Sequence, residues 1–526
     1  MKQQSEIPKD GFAGLRQNIM ADSKAGFVVF LLAMPLSLGI AKASEFPAIM
    51  GLVTAIIGGV LVGLFAGSKL TIKGPAAGLI VVVAASVTDF GGGIEGWKLA
   101  LGAMVVAGLV QVIFGLLKLG RLADVFPLAA VHGMLAAIGL IIIIKQIPVL
   151  LNLDPVIYSG QGIVEMLLNI PSFILNLDPE GAMVGIISLI IMLVWDKIPN
   201  AFLHKIPSPL VVLLIVIPIQ LGFDFSETEG PFALLKVGDL ANSLQFNADF
   251  AGFSETGIFI KYVAMFALVG SLESLLTVKA IDHIDPYKRK SNNDKDLIAI
   301  GIGNTFCAFL GGLPMISEVA RSSANVSTGA QTRWANVFHG LFILVFVLVA
   351  TPVIEMIPNA ALAAMLIAVG IKLAHPMEFV KTYRIGMDQL AIFVTTIIVT
   401  LAKDLLVGIA AGILVKIIIH LYNGVPLRSF FKADFDKEAN SDQYKFLISK
   451  AAIFSNFLPI KQELENLEKG KKISIDLSQT KLVDHSVMDS LHLFQEDYER
   501  LGGKVEIIGL EHHVPFSEHP LAGRKA

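Results

Sequence analysis

Four ionisable residues stand where the surrounding sequence is apolar enough to enter a lipid bilayer: Lys73, Glu273, Glu318 and Arg321. A charge at that depth costs several kcal/mol unless it is paired or wet, so each marks a candidate site. Lys73 directly precedes Gly74-Pro75-Ala76, and Met315-Ile316-Ser317-Glu318-Val319 follows Gly311-Gly312-Leu313-Pro314. Both stretches break a hydrophobic segment with Gly and Pro, a pattern tolerated only where the backbone lines a protein cavity. A helix that begins inside the membrane leaves N–H groups unpaired at its positive dipole end, and those groups can hold an anion. The chemistry expected of the pair is therefore anion binding at membrane depth. Lys73 is then a cation near the anion, a partner for Glu318, or a side chain that snorkels to the inner surface. Glu318 alone repels an anion. It is paired with Lys73 or Arg321, or it carries a proton while the anion is bound, or it forms a purely structural ion pair. Arg321 either raises the local positive potential or anchors its helix. Glu273 and Thr277 are spaced i, i+4 and share a helix face. A carboxylate and a hydroxyl, together with carbonyls of 317–319, suit a coupling cation such as sodium.

These residues need spanning elements to hold them. The chain has 526 residues, 54% hydrophobic and 16% charged, with mean hydropathy +0.70. A soluble domain carries about 25% charged residues, so the composition is that of a membrane protein. The net charge of −3 is too small to imply nucleic acid or a polyanionic partner. The single cysteine, Cys307, excludes an intramolecular disulfide and a cysteine-based zinc cluster. No metal-ligand cluster, phosphate loop or nucleophile constellation appears, so the chain does not read as an enzyme. The first apolar segment, 25–41, contains Pro35 and is too long for a signal-peptide core, which leaves multi-pass insertion in the plasma or bacterial inner membrane.

Fourteen passes are expected, some short or broken: 24–43, 48–67, 70–88, 97–118, 122–151, 181–196, 208–223, 257–279, 294–310, 313–328, 333–350, 353–371, 387–402 and 404–422. Two sets of seven put the broken third and tenth passes in equivalent places and in opposite orientation, an inverted repeat. Lys and Arg at 118, 121, 197, 205, 279, 288–290, 295, 333, 372, 381 and 384 fall on one side, while 152–181 and 224–255 are acidic and almost free of them. This places the N-terminus (1–23) and C-terminus in the cytoplasm and those two loops outside. His132 and Lys145 in the fifth pass read as structural or gate-side. A transmembrane domain of 24–424 is followed by a charged linker, 425–443, and a small α/β domain, 444–526. The latter has strands near 444–448, 472–477 and 504–508 and helices near 458–469 and 487–501.

The segment Asp22–Gly78, the run Gly301–Arg333 with Arg321-Ser322-Ser323, and the tail Ile475-Asp476-Leu477-Ser478 with Asp484-His485-Ser486 resemble the SulP inorganic anion transporters and their closing STAS domain. The resemblance implies a seven-plus-seven inverted fold divided into core and gate domains, dimerisation through the gate, and an anion between the third and tenth passes. It implies substrate contacts from Lys73, Gly74, Pro75, Ala76, Met315, Ile316 and Ser317, an apolar wall at Met34, Pro35 and Leu36, and coupling at Glu273, Thr277, Ser317, Glu318 and Val319, with Arg321 in support. In the sodium-coupled bicarbonate relatives, positions 317–319 are small or hydroxylated, so Glu318 is a departure. The tail departs from the usual Asp-Ser-Ser-Gly, so scaffolding is the role expected of the short domain. The expected function is coupled transport of bicarbonate or sulfate, with the modest positive charge tilting toward bicarbonate. The competing readings are an uncoupled channel or exchanger of the same fold and an organic-anion carrier. Buried acids at 273 and 318 favour coupling over a passive pore, and the STAS-like tail argues against the organic-anion carrier.

Overall fold

The computed structural model describes residues 7–526 apart from 122–123, 125, 201–202, 204–205, 226–232, 239 and 441–442. Lys205, part of the 224–255 loop and the first six residues of the N-terminal segment therefore lie outside the described residues. The chain runs through α1 (Gly11–Ala43), α2 (Ala48–Phe65), β1 (Ile72–Pro75), α3 (Ala77–Asp89), α4 (Gly93–Leu116), α5 (Leu128–Leu150), α6 (Ile163–Leu175), α7 (Pro179–Val194) and α8 (Ser208–Phe223). It continues with α9 (Thr256–Ile284), α10 (Asn293–Phe309), β2 (Met315–Glu318), α11 (Val319–Ser327), α12 (Trp334–Ile354), α13 (Asn359–Leu373), α14 (Pro376–Ile385), α15 (Met387–Ala402) and α16 (Leu405–Tyr422). Each of the fourteen expected segments coincides with a helix, or with a strand running into a helix. Among the described residues, nine helices are long and apolar enough to cross a membrane.

Among the helices before the C-terminal sheet, three differ from the expectation. α1 begins thirteen residues early, because Asp10 accepts a hydrogen bond from Gly11 N and so caps a helix that starts well before the apolar run. α6 stands in a segment expected to be loop. Its apolar side chains include exposed Val164, Leu167, Leu168 and Leu175. α14 starts at Pro376, a favoured first helical position.

Contacts divide the chain into two compact units, 1–121 with 138–373, and 122–137 with 374–526. The first unit contains the broken segments. β1 and β2 pair antiparallel, with Ile72 opposite Glu318, Lys73 opposite Ser317, Gly74 opposite Ile316 and Pro75 opposite Met315. All eight residues are buried. This pairing satisfies the backbone that the broken helices leave bare.

The second unit carries the C-terminal sheet, whose strands are β3 (Asp434–Ala439), β4 (Gln443–Ala452), β5 (Lys472–Val483), β6 (Lys504–Ile508), β7 (Val514–Pro515) and β8 (Arg524–Lys525). Their order is β3-β4-β5-β8-β7, with β6 beside β5. β4–β5 and β5–β6 are parallel, and helices α17 (Phe457–Glu465) and α18 (His485–Arg500) complete the α/β layer. Alternate residues Ile473, Ile475 and Leu477 of β5 enter a core with Phe446, Ile460, Val487 and Leu491. The sheet starts at Asp434, inside the stretch expected to be a linker.

Within this unit one buried ion pair joins α16 to the start of α18. Lys416 Nζ lies 3.0 Å from Asp484 Oδ2 and donates to Ser486 Oγ at 3.0 Å. Asp484 also accepts from Phe454 N and Val487 N, each at 2.9 Å. His420 Nε2 is 3.7 Å from the same carboxylate.

Candidate functional site

Residues opposite each other across an antiparallel pair share a face, and neighbours along a strand alternate. β1 and β2 therefore sort the charged side chains onto two faces. Lys73 and Ser317 share one, and Gly74, Ile316 and Glu318 share the other.

On the first face, Lys73 Nζ meets Asp296 Oδ2 at 2.7 Å, Ser317 Oγ at 2.6 Å and Thr71 Oγ1 at 2.9 Å. Asp296, in the first turn of α10, also accepts from Ser68 N at 3.0 Å. Ser317 is held further by Ser274 of α9, through N–H to Oγ at 3.1 Å and hydroxyl to hydroxyl at 3.0 Å. Lys73 is thus fully buried and its charge is matched by Asp296. The structure gives Lys73 this carboxylate as partner, where the sequence offered Glu318. Asp296 is a partner of Lys73 that sequence reasoning missed. The signal was present: an acid in the first turn of a spanning helix, four residues from the Asn292 cap, is a natural counter-charge for an intramembrane Lys.

On the second face, three charged groups line the backbone of 74–78. A Cβ on Gly74 would overlap Arg321 Nη1, and a Cβ on Gly78 would overlap the Glu273 carboxylate. Glycine at both positions lets these side chains lie against bare backbone. Glu318 Oε1 accepts from Ala77 N at 3.0 Å, at the first turn of α3. Arg321 is 1% exposed. Its three guanidinium nitrogens have no hydrogen-bond partner among the described residues, nor has Glu273 Oε1. Coulomb attraction ties Arg321 to Glu318, and Glu273 feels the Glu318 charge. His339 of α12, fully buried and with neither ring nitrogen bonded among the described residues, lies within the field of Arg321. His339 carried no sequence signal beyond its place in an apolar run.

The remaining expected residues divide. Pro75, Ala76, Met315 and Ile316 are buried at the β1–β2 crossing. Asn304 clamps Met315 by accepting from its N–H at 2.6 Å and donating to its carbonyl at 3.2 Å. Met34, Pro35 and Leu36 are buried on α1, which packs on β1 and α11. Thr277 is buried one turn from Glu273. Val319 opens α11 and is half exposed. His132 is exposed on α5 and Lys145 is half-buried. For a sodium ion, the Glu273 carboxylate is an available donor, whereas the Ser317 hydroxyl is engaged by Lys73 and Ser274. No group of three or more His, Cys, Asp or Glu with metal-binding geometry occurs among the described residues.

The chain resembles proteins of known class along most of its length. It is 27% identical over 507 residues to YvdB of Bacillus subtilis, provisionally named as a sulfate transporter, covering 94% of this chain and 92% of that one. It is 28% identical over 411 residues to the bicarbonate transporter BicA of Picosynechococcus, covering 76% and 69%. Its fold matches the transmembrane domain of a cyanobacterium bicarbonate transporter BicA with TM-score 0.66 at 24% identity, over 77% of this chain and 99% of that one. It also matches the overall structure of SLC26A9 with TM-score 0.68 at 16% identity, over 95% and 85%. The sulfate permease family model matches residues 19–398. With its polytopic helical fold and C-terminal sheet of the STAS kind, the chain belongs to the sulfate permease family of anion transporters.

Proposed function

We propose that this protein carries a small inorganic oxyanion, sulfate or bicarbonate, across the plasma or inner membrane, with the anion seated between the facing starts of α3 and α11. The observation that carries this reading is Arg321: a guanidinium 1% exposed, with no hydrogen bond among the described residues, placed against Gly74. A buried cation without hydrogen bonds is costly, and an anion beside it offsets that cost. The positive end of the α3 dipole adds to the pull on an anion. Gly74, Pro75, Ala76, Met315 and Ile316 form the seat, and Met34, Pro35 and Leu36 its apolar wall. Lys73 and Ser317, on the face they share with Pro75 and Met315, hold the geometry of the ribbon.

Two carboxylates stand beside the seat, so an arriving anion calls for a compensating positive charge. A proton or sodium ion taken up at Glu273, with Thr277 one turn away, supplies it, and this makes the transport coupled. Core moves against gate around the fixed seat, with both termini cytoplasmic and the gate mediating a homodimer. The test is uptake of labelled sulfate and of labelled bicarbonate into vesicles of the purified protein, with and without sodium and across pH. Uptake that follows one of these gradients, and that loses its gradient dependence in Glu273→Gln, is the expected result. If neither anion moves under any gradient, the reading fails.

A further inference from the structure

The amide that opens the α3 half-helix already holds an anion, and that anion belongs to the chain itself. Glu318 reaches across from β2, and its Oε1 accepts from Ala77 N at 3.0 Å. Three residues away along the same backbone, Arg321 sets Nη1 against Gly74, and none of its three guanidinium nitrogens is bonded among the described residues. We propose that Glu318 is a tethered competitor: its carboxylate occupies the substrate's place at the start of α3, and a transported anion binds by displacing it. The proposal rests on the seat described above and adds a residue that sets affinity and its pH dependence. An oxyanion at Ala77 N and a carboxylate at Ala77 N exclude each other, because one donor serves one of them and the two charges repel. Displacement is easier when Glu318 takes a proton from solvent, since a neutral carboxyl is a weaker acceptor and no longer repels the arriving charge. The charged or titratable groups around Glu318 are Glu273 on α9, Arg321 on α11 and His339 on α12, with the Lys73–Asp296 pair on the far face of β1–β2.

The test is equilibrium binding of labelled sulfate to the full-length purified protein from about pH 5.5 to pH 8.5, a range in which sulfate keeps its charge. Wild type is expected to bind more weakly as pH rises, by up to tenfold per pH unit if one proton accompanies one anion. Glu318→Gln and Glu318→Ala are expected to bind about tenfold or more tightly at the upper end and to lose that part of the slope which survives in Glu273→Gln. Glu318→Asp, one methylene short of Ala77 N, keeps the charge if the larger changes fail to fold, and is expected to fall between. If wild type binds sulfate while the Gln and Ala variants bind no more tightly and keep the full slope, the tethered competitor is refuted and the seat stands. If wild type binds and transports neither sulfate nor bicarbonate, the seat itself is refuted and the competitor falls with it.

Discussion

Asp484→Asn keeps the shape of a buried side chain and removes its charge. In the native protein that carboxylate serves four groups: Lys416 Nζ at 3.0 Å, His420, and the amides of Phe454 and Val487. An asparagine can accept through one oxygen only, so at least one amide faces a donor, and Lys416, fully buried, loses its counter-charge and keeps only neutral neighbours, among them the Ser486 hydroxyl and the Phe454 ring. Breaking a buried pair by removing one partner typically costs about 3–5 kcal/mol. The loss is local, so the fitting assay is hydrogen exchange in the full-length protein, read at the two amides that Asp484 accepts from. A cost of that size corresponds to exchange roughly 10² to 10⁴ times faster at Phe454 and Val487. Lys416→Met leaves an uncompensated carboxylate and is expected to act in the same direction. The double variant strands neither charge and is expected to recover at least about 1.5 kcal/mol relative to the sum of the singles. Single variants that speed exchange less than about tenfold, or a double that is simply additive, would refute the reasoning.

Other expectations follow from the same geometry. The Asp484 carboxyl is raised by burial, but the Lys416 and His420 charges and its two amide donors outweigh this and hold it below the usual carboxylate range. Its contribution to stability is therefore present above the unfolded carboxylate value of about 4 and is lost as pH falls through the lower folded value. Protection at Val487, its exchange taken relative to the intrinsic rate at each pH, should fall only on the acid side of about pH 4, and Asp484→Asn should abolish that limb. Lys73→Met strands Asp296 and is expected to lower stability by about 3–5 kcal/mol, with partial recovery in Lys73→Met/Asp296→Asn. Cys307, the chain's single thiol and fully buried, gives a direct readout of that unfolding with a fluorogenic thiol dye. Gly74→Ala pushes a methyl into Arg321 and should weaken sulfate binding at least about tenfold while the thiol stays protected; unchanged binding would count against the Gly74–Arg321 seat. Arg321→Lys keeps the charge but loses the planar fork, and should raise the uptake KM more than it lowers kcat.

Much of the framework was legible because the signals were local. Hydropathy of spanning length marked the helices, and Gly74-Pro75 and Gly312-Leu313-Pro314 marked the breaks. Alternation at Ile473, Ile475 and Leu477 marked β5. The partners were not legible, since they depend on residues far apart in the chain. Lys73 and Asp296 are 223 positions apart, and Glu318 meets Ala77 across 241. Which of several acids Lys73 would choose follows from the β1–β2 register, which sends Lys73 to one face and Glu318 to the other. No local pattern carries that information. α6 was missed for a different reason: it is too short to span, so a search for spans passed over its helical periodicity.

The short β1–β2 ribbon also sets a timetable for biogenesis. Its two strands are separated by most of the membrane domain, with Lys73 opposite Ser317. Until the ribosome has released Met315–Glu318, the peptide groups of Ile72–Pro75 lack their native partners at a depth where water is scarce. Synthesis of the intervening stretch takes on the order of 10 to 50 seconds at typical elongation speeds. The nascent third segment must wait that long in the translocon, or beside an insertion chaperone, before its final bonds can form.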